Sequence, residues 1–397
     1  MRIIYYSPHP THDIVSEVGY ATHQREVILA LRKAGHDVYP LIMGGTEKAN
    51  LNPLSSEQYQ PSAIKKILKS ILPKFIWTSL NNYKLILHDR RAGELLEKEI
   101  LSQKPDLIYE RSEYLQDSGA KAARKFGIKY FLEVNAPFVE EMNEFEGYSL
   151  YHSKAHKIES LKLKSADKVF CVSSALSDFL VSRYHCHRDK IIVQPNCINP
   201  AKTSTDNEQV SRLRQEWNAG HCRVIGFVGS MFPYHGVDLL INAYAQVSKK
   251  FPDTKLLIVG DGVVLNDLKS MCRKLDIMQK VIFTGKIPHA EVFNYIRAMD
   301  ICIMAKSNWY GSPVKLFEYG LMQKPVIAPD TIPVKDVIGN DIDALITGND
   351  EFSLASAIEK LLVNPELAAK LALNFHNKVL SLYTWEKAAE RIISECE

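Results

Sequence analysis

The chain has 397 residues, of which 46% are hydrophobic and 24% charged, and its net charge is only +3. The length suits two globular domains, and the near-neutral balance gives no general case for nucleic-acid binding. Seven scattered cysteines without a CxxC pair, no leader peptide and no membrane-spanning run predict a cytoplasmic protein with reduced thiols.

Strands and helices alternate through the first half of the chain. Short apolar runs predict strands at 2–7, 36–43, 106–111, 129–135, 168–174 and 190–196. Helical periodicity predicts helices at 20–34, 62–72, 77–102, 113–125, 149–164 and 175–184. The polar stretch 199–209 lacks periodicity and predicts a linker, so the N-terminal domain is predicted at 1–198.

The second half repeats this alternation more regularly. Predicted strands lie at 224–229, 255–262, 281–285, 300–305, 324–330 and 344–348. Predicted helices lie at 236–250, 263–275, 289–298 and 313–322. Buried apolar strands separated by helices indicate parallel sheets with ligands at their carboxyl ends. The sequence therefore predicts an α/β fold of two Rossmann-like doubly wound domains facing across a cleft, the second at 210–380.

The stretch YGSPVKLFEYG (310–320) places a lysine in the first turn of a predicted helix. Ser312 suits the N-cap and Pro313 the first helical position. The spacing i, i+3, i+7 predicts a buried face at Val314, Phe317 and Leu321. Lys315 lies near the positive end of the helix dipole, where a cation costs ~0.3–1 kcal/mol. A bound anion would explain it; a solvated lysine or a surface pair with Glu318 is the alternative.

Eight segments together carry a resemblance to a known family. They are GYATHQREVILALRKAGHDV (19–38), PDLIYERSEY (105–114), LEVNAPFVEE (132–141), SADKVFCVSS (165–174), GFVGSMFPYHGVDLLINAY (226–244), LLIVGDG (256–262), VIFTGKIPHAEVFNYIRAMDICIM (281–304) and SPVKLFEYGLMQKPVIA (312–328). In this order and spacing they resemble the GT-B-fold glycosyltransferases of the retaining family-4 type, also called glycosyl transferases group 1. The resemblance implies that a last helix, 381–397, crosses back onto the N-terminal domain.

The resemblance implies a metal-independent hexosyltransferase without a cofactor. It would move a sugar, with retention, from a nucleotide-diphospho-sugar, a UDP-sugar being slightly favoured, to a hydroxyl of a glycan, a lipid-linked or a small-molecule acceptor. A phosphate oxygen would take the acceptor's proton. Lys315 and the helix N-terminus would stabilise the leaving diphosphate, and Glu318 would accept hydrogen bonds from the ribose.

Further donor-site residues are implied on the C-terminal domain. They are Gly229, Ser230, His235, Gly285, Lys286, Ile287, Tyr310, Gly311, Ser312, Pro313 and Val314. Two departures stand out: Tyr310 occupies a position where the family often has an acid, and the loop GSMFPYHG (229–236) lacks the usual Arg and Lys. His235 is as well suited to a helix cap as to donor contact.

On the N-terminal domain, the resemblance implies that Gly19 and Tyr20 meet the donor phosphates. Arg111 and Asn135 follow neighbouring strands and are expected at the catalytic site, with Asn135 near a position that is often histidine in the family. A structural ion pair between Glu133 and Arg111 is the alternative that stays open.

Three other functions remain open at this stage. A GT-B-fold sugar-nucleotide epimerase would need no acceptor, and a non-catalytic partner subunit would suit Tyr310 and the missing loop cations. An NAD-dependent oxidoreductase is disfavoured because no GxGxxG motif follows a predicted strand. The DID triplet (341–343) looks like a metal motif, but the GT-B fold does not need that clamp.

The segment PSAIKKILKSILPKFIW (61–77) reads as a basic amphipathic helix with a terminal tryptophan. Such a helix suits peripheral contact with the inner face of a membrane. It also suits an ordinary helix packed on the N-terminal domain, and this alternative is slightly favoured.

Overall fold

The structure is a computed structural model, which describes residues 1–47, 72–203 and 205–396. The chain forms two compact units, one comprising Met1–Gln194 with Ala388–Glu397, the other Pro195–Lys387. The chain therefore passes from the first unit to the second after Gln194, and its last ten residues belong to the first unit again.

The first unit is built on a six-stranded, wholly parallel sheet. Its strands are β1 (Arg2–Ser7), β2 (Asp37–Ile42), β3 (Leu107–Arg111), β4 (Lys129–Val134), β5 (Lys168–Cys171) and β6 (Ile191–Val193), in the spatial order 2-1-3-4-5-6. Its helices are α1 (Gly19–Lys33), α2 (Lys74–Gln103), α3 (Ser118–Phe126), α4 (Phe138–Phe145), α5 (His152–Ser165) and α6 (Ser174–Tyr184). The central strands are buried on both faces, as expected for a parallel sheet covered by helices.

The second unit repeats this design. Its strands are β7 (Arg223–Val228), β8 (Thr254–Val259), β9 (Val281–Phe283), β10 (Ile301–Ile303), β11 (Val326–Pro329) and β12 (Leu345–Thr347), in the order 12-11-10-7-8-9. Its helices are α7 (Asn207–Glu216), α8 (Val237–Lys250), α9 (Leu265–Lys274), α10 (Val292–Ala298), α11 (Val314–Leu321), α12 (Ile332–Lys335), α13 (Glu351–Val363) and α14 (Pro365–Leu382). Apolar clusters fill both sides of the sheet.

The last helix, α15 (Trp385–Ser394), begins in the second unit and ends in the first. Its end is tied to the first sheet by Lys168, which pairs with Glu395 at 2.6 Å, and by Lys129, which donates to the carbonyl oxygen of Cys396 at 2.6 Å.

The twelve predicted strands are confirmed, as is the α/β two-domain fold class. The predicted helix at 62–72 lies outside the described residues but for its last position, as does most of the amphipathic segment 61–77. Helix α4 was not predicted, since its eight residues follow a proline without a clear apolar period. None of the helices in the described ranges is long and apolar enough to cross a bilayer.

Candidate active site

Glycines close the carboxyl ends of β7, β8 and β9. A Cβ atom on Gly260 would clash with the carbonyl oxygen of Gly229, and one on Gly262 would clash with the backbone of Met231. The N–H of Gly260 donates to the carbonyl oxygen of Gly285 at 3.1 Å. Because these loops meet backbone to backbone, only residues without a side chain fit at Gly260 and Gly262.

Lys315 lies against these loops. We call Gly229, Gly260 and Gly285, at the ends of the three strands, the glycine corner. Its Nζ is 4.2 Å from the ring centroid of Phe227 and 3.2 Å from Nδ1 of His235, and a Cβ on Gly229 would lie 2.7 Å from it. The hydroxyl of Ser230 lies 3.4 Å from the other ring nitrogen of His235. The structure thus brings together Gly229, Ser230, His235 and Lys315, which the sequence predicted to share one site.

The charges of this group are set by burial. Burial lowers the pKa of Lys315 to about 7, and the nearby carboxylate of Glu318 only partly offsets it. Burial, and secondarily the charge of Lys315, lowers the pKa of His235 to about 3. At neutral pH His235 is therefore a neutral acceptor for the ammonium group of Lys315, not a second cation.

Glu318 lies one turn after Lys315 on α11 and is buried. Its Oε1 is 3.4 Å from Nε2 of His289. A surface pair between Lys315 and Glu318 was the alternative to a bound anion. The structure does not show this pair, because Lys315 contacts His235 and Glu318 contacts His289. His289 begins the predicted helix 289–298 but was missed as a site residue, because its partner Glu318 lies far along the chain and leaves no local pattern.

The turn before α11 differs in detail from the prediction. Pro313 occupies the N-cap position and α11 begins at Val314, while the hydroxyl of Ser312 accepts the backbone N–H of Asn196 at 2.9 Å. The side chain of Asn196 donates to the carbonyl oxygen of Ser312 at 2.7 Å. Ser312 therefore anchors the turn to the start of the second unit, and the prediction that it caps the helix was wrong.

Val314 does not belong to the buried face, since it is 44% exposed, whereas Phe317 and Leu321 are buried as predicted. Val314 is the first residue of α11. The prediction for Val314 was wrong because the first turn of the helix lies outside the core into which Phe317 packs.

The remaining predicted donor-site residues form two loops. Gly311 donates its N–H to the side-chain oxygen of Asn308 at 2.7 Å, and Tyr310 packs edge-to-face on Trp309 with ring centroids 5.2 Å apart. After Gly285, Lys286 is exposed and Ile287 packs partly into the core.

In the first unit, Glu133 at the end of β4 gathers four polar side chains. Arg111 pairs with its Oε1 at 2.7 Å, Asn135 donates to the same oxygen at 2.6 Å, and His23 lies 3.0 Å from it. Tyr109 donates to Oε2 at 3.0 Å. We call these five residues the Glu133 network. The structural ion pair between Arg111 and Glu133, left open by the sequence, is present.

This network keeps Glu133 ionised. Burial alone would raise the pKa of the carboxyl group, but His23, Arg111 and Asn135 outweigh it and lower the pKa to about 2. Arg111 and Asn135 therefore both lie at the carboxyl edge of the sheet, and each is already held by Glu133.

His12, in the loop after β1, belongs to a second polar group. Tyr20, which follows Gly19 at the start of α1, stacks on His12 with ring centroids 4.3 Å apart. His9 stacks on the other side of His12 at 4.1 Å. Nδ1 of His12 is 2.6 Å from Oε1 of buried Glu113. The sequence reasoning missed His12 and Glu113; the signals were two histidines in the first βα loop and an acid two residues after Arg111.

One ligand atom each of His9, His12 and Glu113 lies within 4.8 Å of the others, so this trio could in principle hold a metal. However, Nδ1 of His9 accepts the backbone N–H of Thr11, and Nδ1 of His12 is engaged by Glu113. Two donor atoms are thus occupied by protein hydrogen bonds. The DID carboxylates are also engaged, Asp341 by Lys360 and Asp343 by Lys378, each at 2.7 Å.

Two families match the chain, one on each half. Glycosyltransferase Family 4 matches residues 19–202, and Glycosyl transferases group 1 matches residues 210–377. Together the two matches span both units of the structure. The glycine corner, Lys315 and Glu318 all lie within the second match.

Relatives with assigned activities are similar over part of their length. The GDP-mannose-dependent alpha-(1-6)-phosphatidylinositol monomannoside mannosyltransferase of Mycolicibacterium smegmatis is 25% identical over 210 residues, which cover 50% of this chain and 54% of the relative. The alpha-monoglucosyldiacylglycerol synthase of Streptococcus pneumoniae is 28% identical over 256 residues, covering 61% of this chain and 57% of the relative. The matched region therefore spans little more than half of these relatives.

Among solved structures, the Anabaena protein HepE in complex with UDP has a TM-score of 0.70 and 16% identity, and the match covers 99% of each chain. At this level of identity the likeness concerns the fold, and it extends over both units.

Proposed function

Because the chain belongs to the GT-B glycosyltransferases of family 4 and group 1, we propose that it transfers a sugar, with retention, from a nucleotide-diphospho-sugar to an acceptor hydroxyl. A UDP-sugar is the first donor to test, since a structural neighbour over the whole chain holds UDP. The observation that carries the proposal is the placement of Lys315 against Gly229 and His235, one turn before the buried carboxylate of Glu318.

The donor's diphosphate suits the glycine corner. Lys315 offers an ammonium group whose contacts are a neutral imidazole and an aromatic ring, and α11 offers the N–H groups of its first turn. A diphosphate bound there would supply the negative charge that balances the ammonium group of Lys315. Glu318, with His289 beside it, is suited to accept hydrogen bonds from the ribose hydroxyls.

In this proposal the bond from the anomeric carbon to the diphosphate breaks while the acceptor hydroxyl attacks from the same face. Lys315 stabilises the charge that develops on the leaving diphosphate, and a phosphate oxygen takes the hydroxyl proton. Arg111 and Asn135 are assigned to the acceptor side of the site, where Glu133 orients both. Gly19 and Tyr20 keep their proposed contact with the donor phosphates.

No metal takes part in this proposed mechanism, and the enzyme should retain its activity in EDTA. For the acceptor, the two relatives named above act on phosphatidylinositol monomannoside and form a glycosyldiacylglycerol, so lipid-linked acceptors join glycans and small molecules as candidates. We also propose a cytoplasmic location, which is favoured because no two of the seven cysteines, all of them within the described residues, form a disulfide. Membrane contact through 61–77 stays a prediction, to be tested by flotation with anionic vesicles.

The test is a thermal-shift panel with UDP, GDP, ADP, dTDP and NAD on the wild type and on Glu318→Ala. A shift with one nucleoside diphosphate that is lost in the variant is expected. Glu351→Ala, in the first turn of α13, is the matched control and should shift like the wild type. A shift with NAD alone would overturn the enzyme class, and no shift in folded protein would favour the partner-subunit alternative.

An assay of sugar transfer distinguishes the proposed enzyme from the remaining alternative, an epimerase. An epimerase would convert the nucleotide-sugar without an acceptor, whereas the proposed enzyme releases the nucleotide only as sugar is transferred to a hydroxyl or to water. Product analysis by NMR would also reveal the configuration at the anomeric carbon, and an inverted product would contradict retention.

A further inference from the structure

His289 and Glu318 meet beside the carboxyl edge of the second sheet, although they are far apart along the chain. His289 opens the short turn His289–Glu291 that follows β9, and Glu318 lies in the second turn of α11. Nε2 of His289 is 3.4 Å from Oε1 of Glu318. The side chain of Glu318 is 9% exposed and that of His289 is 55% exposed, so the imidazole lies between solvent and a buried carboxylate.

Two features hold the ring of His289 in place. The ring packs edge-to-face on Phe293, with centroids 6.0 Å apart and planes at 89°, and Phe293 belongs to the apolar core. Pro288 precedes His289, and its own ring fixes φ there at −59°. The imidazole is therefore anchored on the core while Nε2 faces Glu318.

The carboxylate of Glu318 takes its orientation from this contact. Its neighbours Phe317 and Tyr319 are fully buried, so the backbone of α11 is fixed at this point. Among the residues that the structure describes, only His289 forms an ion pair with the carboxylate. One carboxylate oxygen thus has a partner in the protein, and the carboxylate keeps further acceptor capacity for a ligand.

We propose that His289 is a positioning residue, which holds the carboxylate of Glu318 towards the two vicinal hydroxyls of a ribose and makes the site prefer ribonucleoside over 2′-deoxyribonucleoside diphosphates. The inference rests on the proposed function and names the feature of the donor that the contact selects. Nε2 donates to Glu318 both in the imidazolium and in one tautomer of the neutral ring. The orientation of Glu318 therefore does not depend on whether His289 is charged.

The preference for ribose follows from the number of donors. Two vicinal hydroxyls can donate to one carboxylate, whereas 2′-deoxyribose offers only one of them. A site built to hydrogen-bond a hydroxyl discriminates against the analogue that lacks it, because a buried acceptor is then left unpaired. A hydrogen bond to a charged group corresponds to roughly 10- to 100-fold in affinity. A carboxylate that His289 no longer holds can rotate, and it then distinguishes the two sugars less.

The test compares the affinities of UDP and 2′-deoxy-UDP for the full chain by calorimetric titration. His289→Phe keeps an aromatic ring against Phe293 but removes both nitrogens, whereas His289→Gln keeps an N–H donor in place of Nε2. His221→Phe, at an exposed histidine elsewhere in the second unit, is the matched control. His289→Phe is also combined with Glu318→Gln in a double-mutant cycle.

The wild type and His221→Phe should bind UDP about tenfold more tightly than 2′-deoxy-UDP. In His289→Phe this ratio should fall below about threefold, mainly because UDP binds more weakly, and His289→Gln should restore most of it. In the Glu318→Gln background, His289→Phe should change neither affinity, because a positioning residue acts only through its partner.

An unchanged ratio in His289→Phe would overturn the inference, and so would equal losses for the two nucleotides, which a merely structural role produces. A wild type without preference, a ratio that His289→Gln does not restore, or a loss that persists in the Glu318→Gln background would also overturn it.

Failure of the proposed function looks different, because no nucleoside diphosphate would then bind the wild type. If a ribonucleoside diphosphate other than UDP binds, its ribo and 2′-deoxy forms are compared in the same way. Thermal unfolding of each variant separates loss of binding from loss of folding.

Discussion

Nζ of Lys315 lies 3.2 Å from Nδ1 of His235, so an ammonium group is held by a neutral imidazole. No carboxylate of the described chain contacts this ammonium group directly, and Glu318, the nearest acid along α11, contacts His289 instead. Burial lowers the pKa of Lys315 to about 7 and that of His235 to about 3. The pair thus carries a cation that is costly in the free protein and is best explained by an anionic ligand.

Lys315→Met should weaken UDP binding and stabilise the free protein. Loss of a charged hydrogen bond to the diphosphate costs about 1.5–3 kcal/mol, or roughly 10- to 100-fold in affinity. Removing a buried charge should raise the melting temperature by about 2–4 °C for each kcal/mol gained. Calorimetric titration with UDP and thermal unfolding of the same samples measure both effects.

The lowered pKa of Lys315 also makes the folding stability depend on pH. The native pKa of Lys315, about 7, lies below the usual lysine value of 10.5, so the unfolded chain binds more protons between these values. The stability of the wild type should therefore rise with pH across this window, and the rise should be smaller in Lys315→Met. Lys360→Met, at a surface pair with Asp341, is the control and should change neither property. Unchanged UDP affinity in Lys315→Met would exclude its assigned role.

Gly229→Ala should reduce UDP affinity by displacing the same ammonium group. The added Cβ would lie 2.7 Å from Nζ of Lys315, and φ at Gly229 is 149°, which L-residues rarely adopt. Gly127→Ala is the matched control, since φ there is 65° and nothing lies within 4 Å of the added Cβ. Both variants should lose about 1–2 kcal/mol of stability from the backbone. Equal UDP affinities in the two would show that Gly229 has no bearing on the donor site.

The sequence predicted the fold better than it predicted the contacts. Parallel strands appear as continuous apolar runs, so all twelve could be located from their composition alone. The turn before α11 was harder, because Ser312 is locally well suited to cap a helix. Its hydroxyl instead accepts the backbone N–H of Asn196, 116 residues away along the chain, and such distant partners leave no local pattern.

The polar residues of the first unit show the same limit. Arg111 and Asn135 could be placed at strand ends from sequence order, but their shared partner Glu133 was only one of two alternatives. His12 and Glu113 are 101 residues apart and meet only because β1 and β3 are neighbours in the sheet. Sheet order, which brought these residues together, was not predicted from the sequence.

Glu133→Gln should destabilise the first unit at neutral pH. The pKa of Glu133 is lowered to about 2 from 4.5, so its contribution is present above pH 4.5 and is lost as the pH falls towards 2. The variant removes the close counterion of buried Arg111 and leaves it only the longer pair with Glu113 at 3.8 Å, and breaking a buried pair costs up to about 3–5 kcal/mol. Denaturant titrations should show a large deficit at pH 7 that shrinks at pH 3. A deficit that is independent of pH would contradict the ionised state of Glu133.

Glu110→Gln should have the opposite effect. Glu110 is fully buried on β3 and accepts a hydrogen bond from the hydroxyl of Tyr130 at 3.0 Å. Burial raises its pKa to about 8 from 4.5, and Lys162 and Tyr130 lower it only in part. The native state therefore holds a proton that the unfolded chain releases above pH 4.5, and stability is lost as the pH rises towards 8.

A glutamine in place of Glu110 keeps the shape and the acceptor for Tyr130 but cannot ionise. The difference in unfolding free energy between Glu110→Gln and the wild type should move in favour of the variant from pH 5 to pH 9, when both are measured by urea titration. Glu97→Gln, at the exposed pair with Lys125, should show no such trend. A difference that stays flat over this range would mean that Glu110 is ionised in the native state, in which case its charge must be balanced by Lys162.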